Sequence, residues 1–279
     1  LDDPLAEREP IGFGGKGSYW SPDVYLKLNI RPLNGSDRWL ITPSLRAQSQ
    51  YLIQGGEVSG NEKLTSWQTD WNPRISTRAE IVKGNTLKAS TGIYSQPPQP
   101  QEALGIGTLS GVGYERAWNS SIGFEQQIGD RIKWDIDLFY RSMSDLIIQT
   151  PNYSGPPQQA FVNGGQGRAY GMELIARHEP IGRFFGWVSY TLSKSERRDS
   201  PDDEWIPFAF DQRHIFSAQA GYDLPWDFGV SAQVQYVTGN PDSPQNAGIY
   251  DADGDFYNGF RIGPANSERL PPYFQTSLR

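Results

Sequence analysis

The sequence predicts an all-β fold: a portion of an antiparallel transmembrane β-barrel, about eleven strands long. Three observations lead there. Apolar residues recur at every second position through strand-length stretches along nearly all of the 279 residues, and a period of two sorts side chains onto opposite faces of a pleated strand. The connections alternate between short turns and long loops, the mark of a barrel whose one rim only reverses the chain while the other carries loops. No run approaches the ~18 apolar residues that a transmembrane helix requires.

The first span, Tyr19–Leu33, places Val24, Leu26, Leu28 and Ile30 on one face and Tyr25, Lys27, Asn29 and Arg31 on the other. The turn Asn34–Asp37 (NGSD) leads into Trp39–Ile53, with Trp39, Ile41, Leu45, Ala47 and Tyr51 opposite Arg46, Gln48 and Gln50. A long loop reaches Trp67–Val82, where Trp71, Ile75 and Ile81 alternate with Asn72, Arg74, Arg78 and Glu80. KGN turns into Thr86–Tyr94, and a loop rich in Pro and Gly follows, through which no strand can run. Then come Glu115–Ile128, the turn GDR, and Ile132–Gln149 with Trp134, Ile136, Leu138 and Tyr140 on its apolar face. After PNYSGPPQQ the pattern gives Gly167–His178, the turn EPIGR, Phe184–Ser195, a long loop and Arg213–Leu224. A turn at Pro225–Asp227 leads to Phe228–Thr238, and a last long loop to Leu270–Arg279. Trp20, Trp39, Trp67, Trp71, Tyr94, Trp118, Trp226 and Tyr236 fall near strand ends, where aromatic girdles meet the membrane interfaces.

Composition fits this reading. Hydrophobic content is 37% and mean hydropathy −0.59, because lumen-facing polar residues dilute the lipid-facing ones. The chain has no Cys, which removes disulfides, zinc–thiolate sites and thiol nucleophiles. A net charge of −7 argues against nucleic acid as a partner. Eleven strands do not close a barrel in the usual even-numbered way, so the chain reads as a piece of a larger protein, with neither signal peptide nor closing strand in view.

Four stretches resemble the barrel domain of TonB-dependent outer-membrane receptors: DWNPRISTRAEI (Asp70–Ile81) with the following LKASTGIYSQPPQP; YERAWNSSIGFEQQI (Tyr114–Ile128) with IDLFYRSMSDLI; Asn163–Arg198; and FDQRHIFSAQAGYDL (Phe210–Leu224) with YVTGNPDSP. Their order and spacing cover about residues 20–279. The resemblance implies a barrel of 22 strands, of which residues 1–279 supply about half. It also implies a plug domain and TonB-contacting box before Leu1, closing strands after Arg279, and active uptake of a scarce nutrient such as a siderophore. The expected partners are outer-membrane lipid, the TonB complex and a small-molecule ligand; the expected location is the outer membrane of a Gram-negative bacterium. The competing readings are a passive porin-like or structural outer-membrane barrel and a soluble all-β carbohydrate-binding or propeller protein.

No catalytic constellation stands out. His178 lies beside a predicted turn, His214 opens a strand, and no nucleophile–base pair is spaced for chemistry. Asp211, Arg213 and His214 read as hydrogen-bonding groups at a loop base. Trp205, Phe208, Phe210 and Arg213 in one long loop, and Tyr250, Tyr257 and Arg261 in another, are the candidate ligand contacts. Aromatic faces beside a guanidinium suit a planar or sugar-like ligand with anionic groups, and equally suit packing of the loop on itself. Asp251, Asp253 and Asp255 alternate around Gly254 like the start of a calcium loop, but no Glu follows at the closing distance. A solvated loop tip is the other reading, and no other cofactor is implied. Gly167 and Gly171 share a lumen-facing row with Glu173 and Arg177; the resemblance implies that they leave room beside a plug, and a bend or bulge is the equal alternative.

Overall fold

The computed structural model describes residues 17–54, 64–99, 102–103, 111–150, 161–180, 182–244, 249–251, 256–258 and 263–279. Its strands are β1 (Gly17–Trp20), β2 (Asp23–Lys27), β3 (Trp39–Gln54), β4 (Leu64–Val82), β5 (Asn85–Gln96), β6 (Glu115–Ile128), β7 (Ile132–Gln149), β8 (Phe161–His178) and β9 (Phe184–Arg198). Then follow β10 (Ile206–Pro207), β11 (His214–Asp223), β12 (Gly229–Val237), β13 (Pro241–Asp242), β14 (Ile249–Asp251), β15 (Phe256–Asn258), β16 (Glu268–Arg269) and β17 (Tyr273–Leu278). The wall runs in chain order, β1-β3-β4-β5-β6-β7-β8-β9-β11-β12-β17, with β2 beside β1 on β3 and β10 on β9. Every pairing is antiparallel. Eleven wall positions joined by alternating turns and loops match the expected rhythm, and among the described residues the sheet is an open arc.

The registers confirm the predicted faces. Leu87 lies opposite Phe124, Ala89 opposite Ile122, Ile122 opposite Leu138, and Leu138 opposite Met172. The outward row stays uncovered: Val24 is 71% exposed and Ile122 59%, an arrangement that water penalises and lipid rewards. Three outward indoles find partners on the same face: Trp39 Nε1 donates to Thr77 Oγ1 (3.1 Å), Trp67 Nε1 to Thr69 Oγ1 (3.1 Å) and Trp118 Nε1 to Thr91 Oγ1 (2.9 Å), which satisfies each donor away from water.

The inward face is laced with ion pairs: Arg78–Glu125 at 2.7 Å, Lys133–Glu125 at 3.1 Å, and Lys88 to Asp135 and Asp137 at 2.5 and 2.9 Å. Lys88 belongs to β5 and the aspartates to β7, so the bridge passes over β6 at Gly123, the residue opposite both Lys88 and Asp137. A Cβ there would stand 1.9 Å from Asp137 Oδ1. Turn chemistry is also as expected at NGSD, where Asn34 (φ 49°) and Gly35 (φ 80°) both adopt the left-handed conformation of a two-residue hairpin turn.

The structure differs from the sequence reading at particular places. The first span is interrupted: β1, β2 and the isolated Ile30–Ile41 bridge keep one register on β3 but break at Ser21–Pro22 and beyond Lys27. Pro22 has no N–H to donate and sits, as proline should, on an edge strand. β8 begins at Phe161, six residues before the predicted Gly167, because its ladder with β7 continues through the side-chain-poor NGGQ stretch. The last long loop is not bare: β13 pairs with β16, and β14 with β15.

Gly167 and Gly171 acquire separate explanations. A Cβ on Gly171 would lie 2.2 Å from Leu192 O and 2.8 Å from Ser193 Cα, so close approach of β9 excludes a side chain. Gly167 faces the flexible Met143 Cε at 2.7 Å, next to the register shift between Met143 and Leu146.

Candidate functional site

Polar and charged groups converge on the inward face at the rim that carries the long loops. A cavity of about 390 Å³ opens there, lined by Tyr94, Ser95, Glu115, Arg116, Arg141 and Arg197 among others. The strand period places Arg141 of β7 and Arg197 of β9 on the inward face with Asn119 of β6. Arg116 is committed elsewhere: its Nη2 donates to Asp70 Oδ1 at 2.6 Å and its Nη1 lies 3.6 Å from Asp145. Arg141 donates to the neutral Asn119 Oδ1 (2.9 Å). Arg197 spreads over the Phe208 ring at 3.9 Å with its Nε unpartnered. Among the described residues neither Arg141 nor Arg197 has a carboxylate within ion-pair distance. Glu115 lines the same cavity and its charge acts on Arg197 without forming an ion pair, so two guanidinium groups face the cavity with one carboxylate near them, a balance of charge that suits an anion.

Beside the cavity a strap, Gly111–Tyr114, crosses the inward face. Gln68 Nε2 donates to Val112 O (2.9 Å), Gly113 N to Asn163 Oδ1 (2.6 Å), Asn163 Nδ2 to Gly113 O (3.2 Å), and Tyr114 Oη to Gln48 O (3.3 Å). Val112 and Tyr114 are buried, as are Leu52, Ala103 and Leu146, the small apolar core of this open wall. Burial pushes the Tyr114 phenol up to about 12, with nearby Tyr19, Asp23 and Asp70 adding to the effect. A raised phenol favours the neutral, bonded form. The strap's attachment through Tyr114 is therefore complete below pH 10 and is lost as pH climbs toward about 12. Absorbance titration of phenolate with and without Tyr114→Phe should find one late-titrating tyrosine missing from the variant; identical curves would contradict this.

Of the described loop residues singled out in the sequence, Phe208 is the one joined to this cavity, through Arg197. Trp205 meets two guanidinium groups, Arg168 at 4.4 Å and Arg198 at 4.5 Å from the ring centre. Phe208 meets Phe210 edge-on at 5.4 Å, and Phe210 is 71% exposed. Arg213 lies 3.5 Å from Asp211. Tyr250 and Tyr257 are opposite each other in the β14–β15 hairpin, and Asp251 is opposite Phe256. Asp253, Asp255 and Arg261 lie outside the described residues. The hairpin brings the two tyrosine backbones together.

Asp211 takes the loop-base role read from the sequence and adds a contact to a second loop that the sequence did not indicate. It is 1% exposed, and its Oδ1 accepts the Ser195 N–H at 2.6 Å, replacing a carbonyl in the β9 ladder. Arg269 donates to its carboxylate and, at 2.5 Å, to its backbone oxygen. Asn266 Nδ2 reaches Pro207 O at 2.7 Å. The β9–β11 connection is thereby fastened to the β12–β17 connection. His214 shares a hydrogen bond with Tyr190 Oη through Nδ1 (2.8 Å), the loop-base role expected of it. Arg141 and Arg197 carried no distinguishing motif; their signal was only an inward parity at the loop end of two strands.

Comparison with known proteins places this geometry. A family model described as TonB dependent receptor-like, beta-barrel matches residues 3–279. Among curated proteins none matches the chain. The FrpB iron transporter from Neisseria meningitidis (F3-3 variant) superposes with a TM-score of 0.67 at 18% identity, over 94% of this chain and 38% of that one. The ferric-catecholate import receptor Fiu from K12 E. coli gives 0.66 at 14% identity, over 93% of this chain and 38% of that one. The siderophore receptor PiuA from Acinetobacter baumannii gives 0.66 at 13% identity, over 94% of this chain and 36% of that one. The chain thus spans well under half the length of these relatives in structure. Transporters rather than enzymes make up such a family, and neither a soluble propeller nor a passive porin accounts for the match. An open arc of eleven strands, lipid-facing outside and charged inside, with the family match over nearly its whole length, shows that the chain belongs to the TonB-dependent receptors as part of their β-barrel.

Proposed function

We propose that this wall belongs to an outer-membrane receptor of a Gram-negative bacterium that imports a small anionic ligand through its lumen, energised through the TonB complex. The observation that carries the ligand class is the pair Arg141 and Arg197, facing one cavity whose single carboxylate, Glu115, is in ion-pair contact with neither of them among the described residues. The neighbours in structure are an iron transporter, a ferric-catecholate import receptor and a siderophore receptor, and an anionic iron chelate is the cargo that best joins those proteins to the arginines. The long-loop rim, with Trp205, Phe208, Phe210, Arg213, Tyr250, Tyr257 and Arg261, supplies the first contacts from outside. Calcium at Asp251, Asp253 and Asp255 would order that rim; calorimetry on the full-length receptor showing no heat with calcium would end that part.

Arg141→Ala and Arg197→Ala in the full-length receptor should each weaken binding of a ferric tris-catecholate by about tenfold to a hundredfold, since a charge-assisted hydrogen bond contributes about 1.5–3 kcal/mol. Equilibrium binding to cells deleted of the native receptor reads this directly. Unchanged affinity in both variants would remove the cavity from the ligand path.

A further inference from the structure

Beside the arginine cavity lies a row of buried amides that the anion-binding reading does not use. Gln50 and Asn72 are each 1% exposed and Gln48 is 8% exposed. Among the described residues, both polar atoms of the Gln50 side chain, Gln48 Oε1 and Asn72 Oδ1 have no hydrogen-bond partner. These residues share the inward face of β3 and β4, where Gln48 stands opposite Asp70 and Gln50 opposite Gln68. Buried polar groups are paired almost without exception, and an unmade bond costs more than a made one gains. Four orphaned atoms in one patch are therefore waiting for something that supplies both donors and acceptors.

The patch is continuous with the cavity. Asn72 Nδ2 donates to Ser95 Oγ (2.8 Å), and Asp70 holds Arg116; Ser95 and Arg116 both line the cavity. The strap closes it from the lumen side, bonded to Gln68 through Val112 and to Gln48 through Tyr114. Chemistry sets the occupant. The carboxylate nearest the row in register, Asp70, is already neutralised by Arg116, so the row itself is uncharged. An orphaned amide N–H at Gln50 disfavours a bare cation, while orphaned carbonyls at Gln48 and Asn72 disfavour an anion.

We propose that Gln48, Gln50 and Asn72 form a second ligand subsite, taking an uncharged hydrogen-bonding arm of the cargo rich in hydroxyl groups, and that Gly111–Tyr114 lifts to admit it. The inference rests on the lumen being the ligand path. It assigns the cargo two chemically distinct ends, an anion at Arg141 and Arg197 and a neutral polyhydroxyl arm at the amide row. The strap is the specificity element between them, since an anion lacking that arm gains nothing by displacing it.

Residues 1–279 contain no cysteine, so thiol chemistry can read the patch in outer-membrane preparations of a full-length receptor in which any cysteine elsewhere has been replaced by serine. Gln50→Cys should react slowly with a small hydrophilic maleimide, and about fivefold to tenfold faster once Tyr114→Phe removes one strap hydrogen bond. Raffinose, a neutral trisaccharide, should protect Gln50→Cys, whereas inorganic phosphate should protect Met143→Cys, in the arginine cavity, and not Gln50→Cys. Asn72→Cys serves if Gln50→Cys does not assemble. Phosphate protection at Met143→Cys without raffinose protection in the amide row overturns the subsite and leaves the anion site standing. Failure of phosphate at Met143→Cys strikes the anion reading instead. An amide row that never labels, even with Tyr114→Phe, overturns the lifting strap.

Discussion

Removal of the Asp211 carboxylate is expected to unfasten the loop rim while leaving the wall intact. Asp211→Ala leaves the Ser195 N–H in the ladder, Arg213 and Arg269 without their shared acceptor. Breaking one side of a buried charge pair costs about 3–5 kcal/mol, and here the cost falls on the contacts joining two connections. Hydrogen exchange of the full-length receptor in detergent should show faster exchange near Ser195 and near Gly239, Asn266 and Arg269. Exchange within β5–β8 should stay unchanged. Asp211→Asn keeps an acceptor for Ser195 but not the charge, so it should lose protection at Arg269 more than at Ser195. Equal protection in wild type and Asp211→Ala would show that the two loops are held by other means.

The second large effect is expected at Gly171, and it strikes assembly. A Cβ at this position meets backbone atoms of β9, Leu192 O at 2.2 Å and Ser193 Cα at 2.8 Å, which cannot swing aside as a side-chain end can. Gly171→Val should destabilise the β8–β9 ladder by at least the ~1–3 kcal/mol of an overpacked site, and should lower the yield of folded receptor. Gly167→Ala is the control: its obstacle is the terminal methyl of Met143, which can rotate away, so that variant should fold close to normally. Urea unfolding of both variants separates the two cases. A stable Gly171→Val barrel would mean that β8 and β9 part by more than the register allows.

The wall was legible because its cause is local. Whether Leu138 or Asp137 meets lipid follows from the alternation of one strand, and whether a connection is a turn follows from residues such as Asn34 and Gly35. Where strand limits were missed, the decisive bonds came from a neighbour. β8 continues through a glycine-rich stretch because β7 pairs with it at Ile147 and Ile148, while β1 and β2 part at Pro22 because an edge tolerates a missing donor. The site was far less legible. Arg141 is one of many inward arginines by pattern, and only its place on one cavity with Arg197, two strands away, sets it apart. Trp205 and Phe208 were visible as loop aromatics, yet the guanidinium groups that hold them come from β8 and β9.

The sequence by itself thus determined an eleven-strand antiparallel wall, its lipid face and its loop rim, because a period of two and the chemistry of turns act within a few residues. The tertiary structure alone decided which inward groups lack partners. Asp211 holding two loops, Arg141 and Arg197 sharing a cavity, and Gln50 buried without a bond all depend on strands far apart in sequence lying side by side, and no local pattern encodes that adjacency.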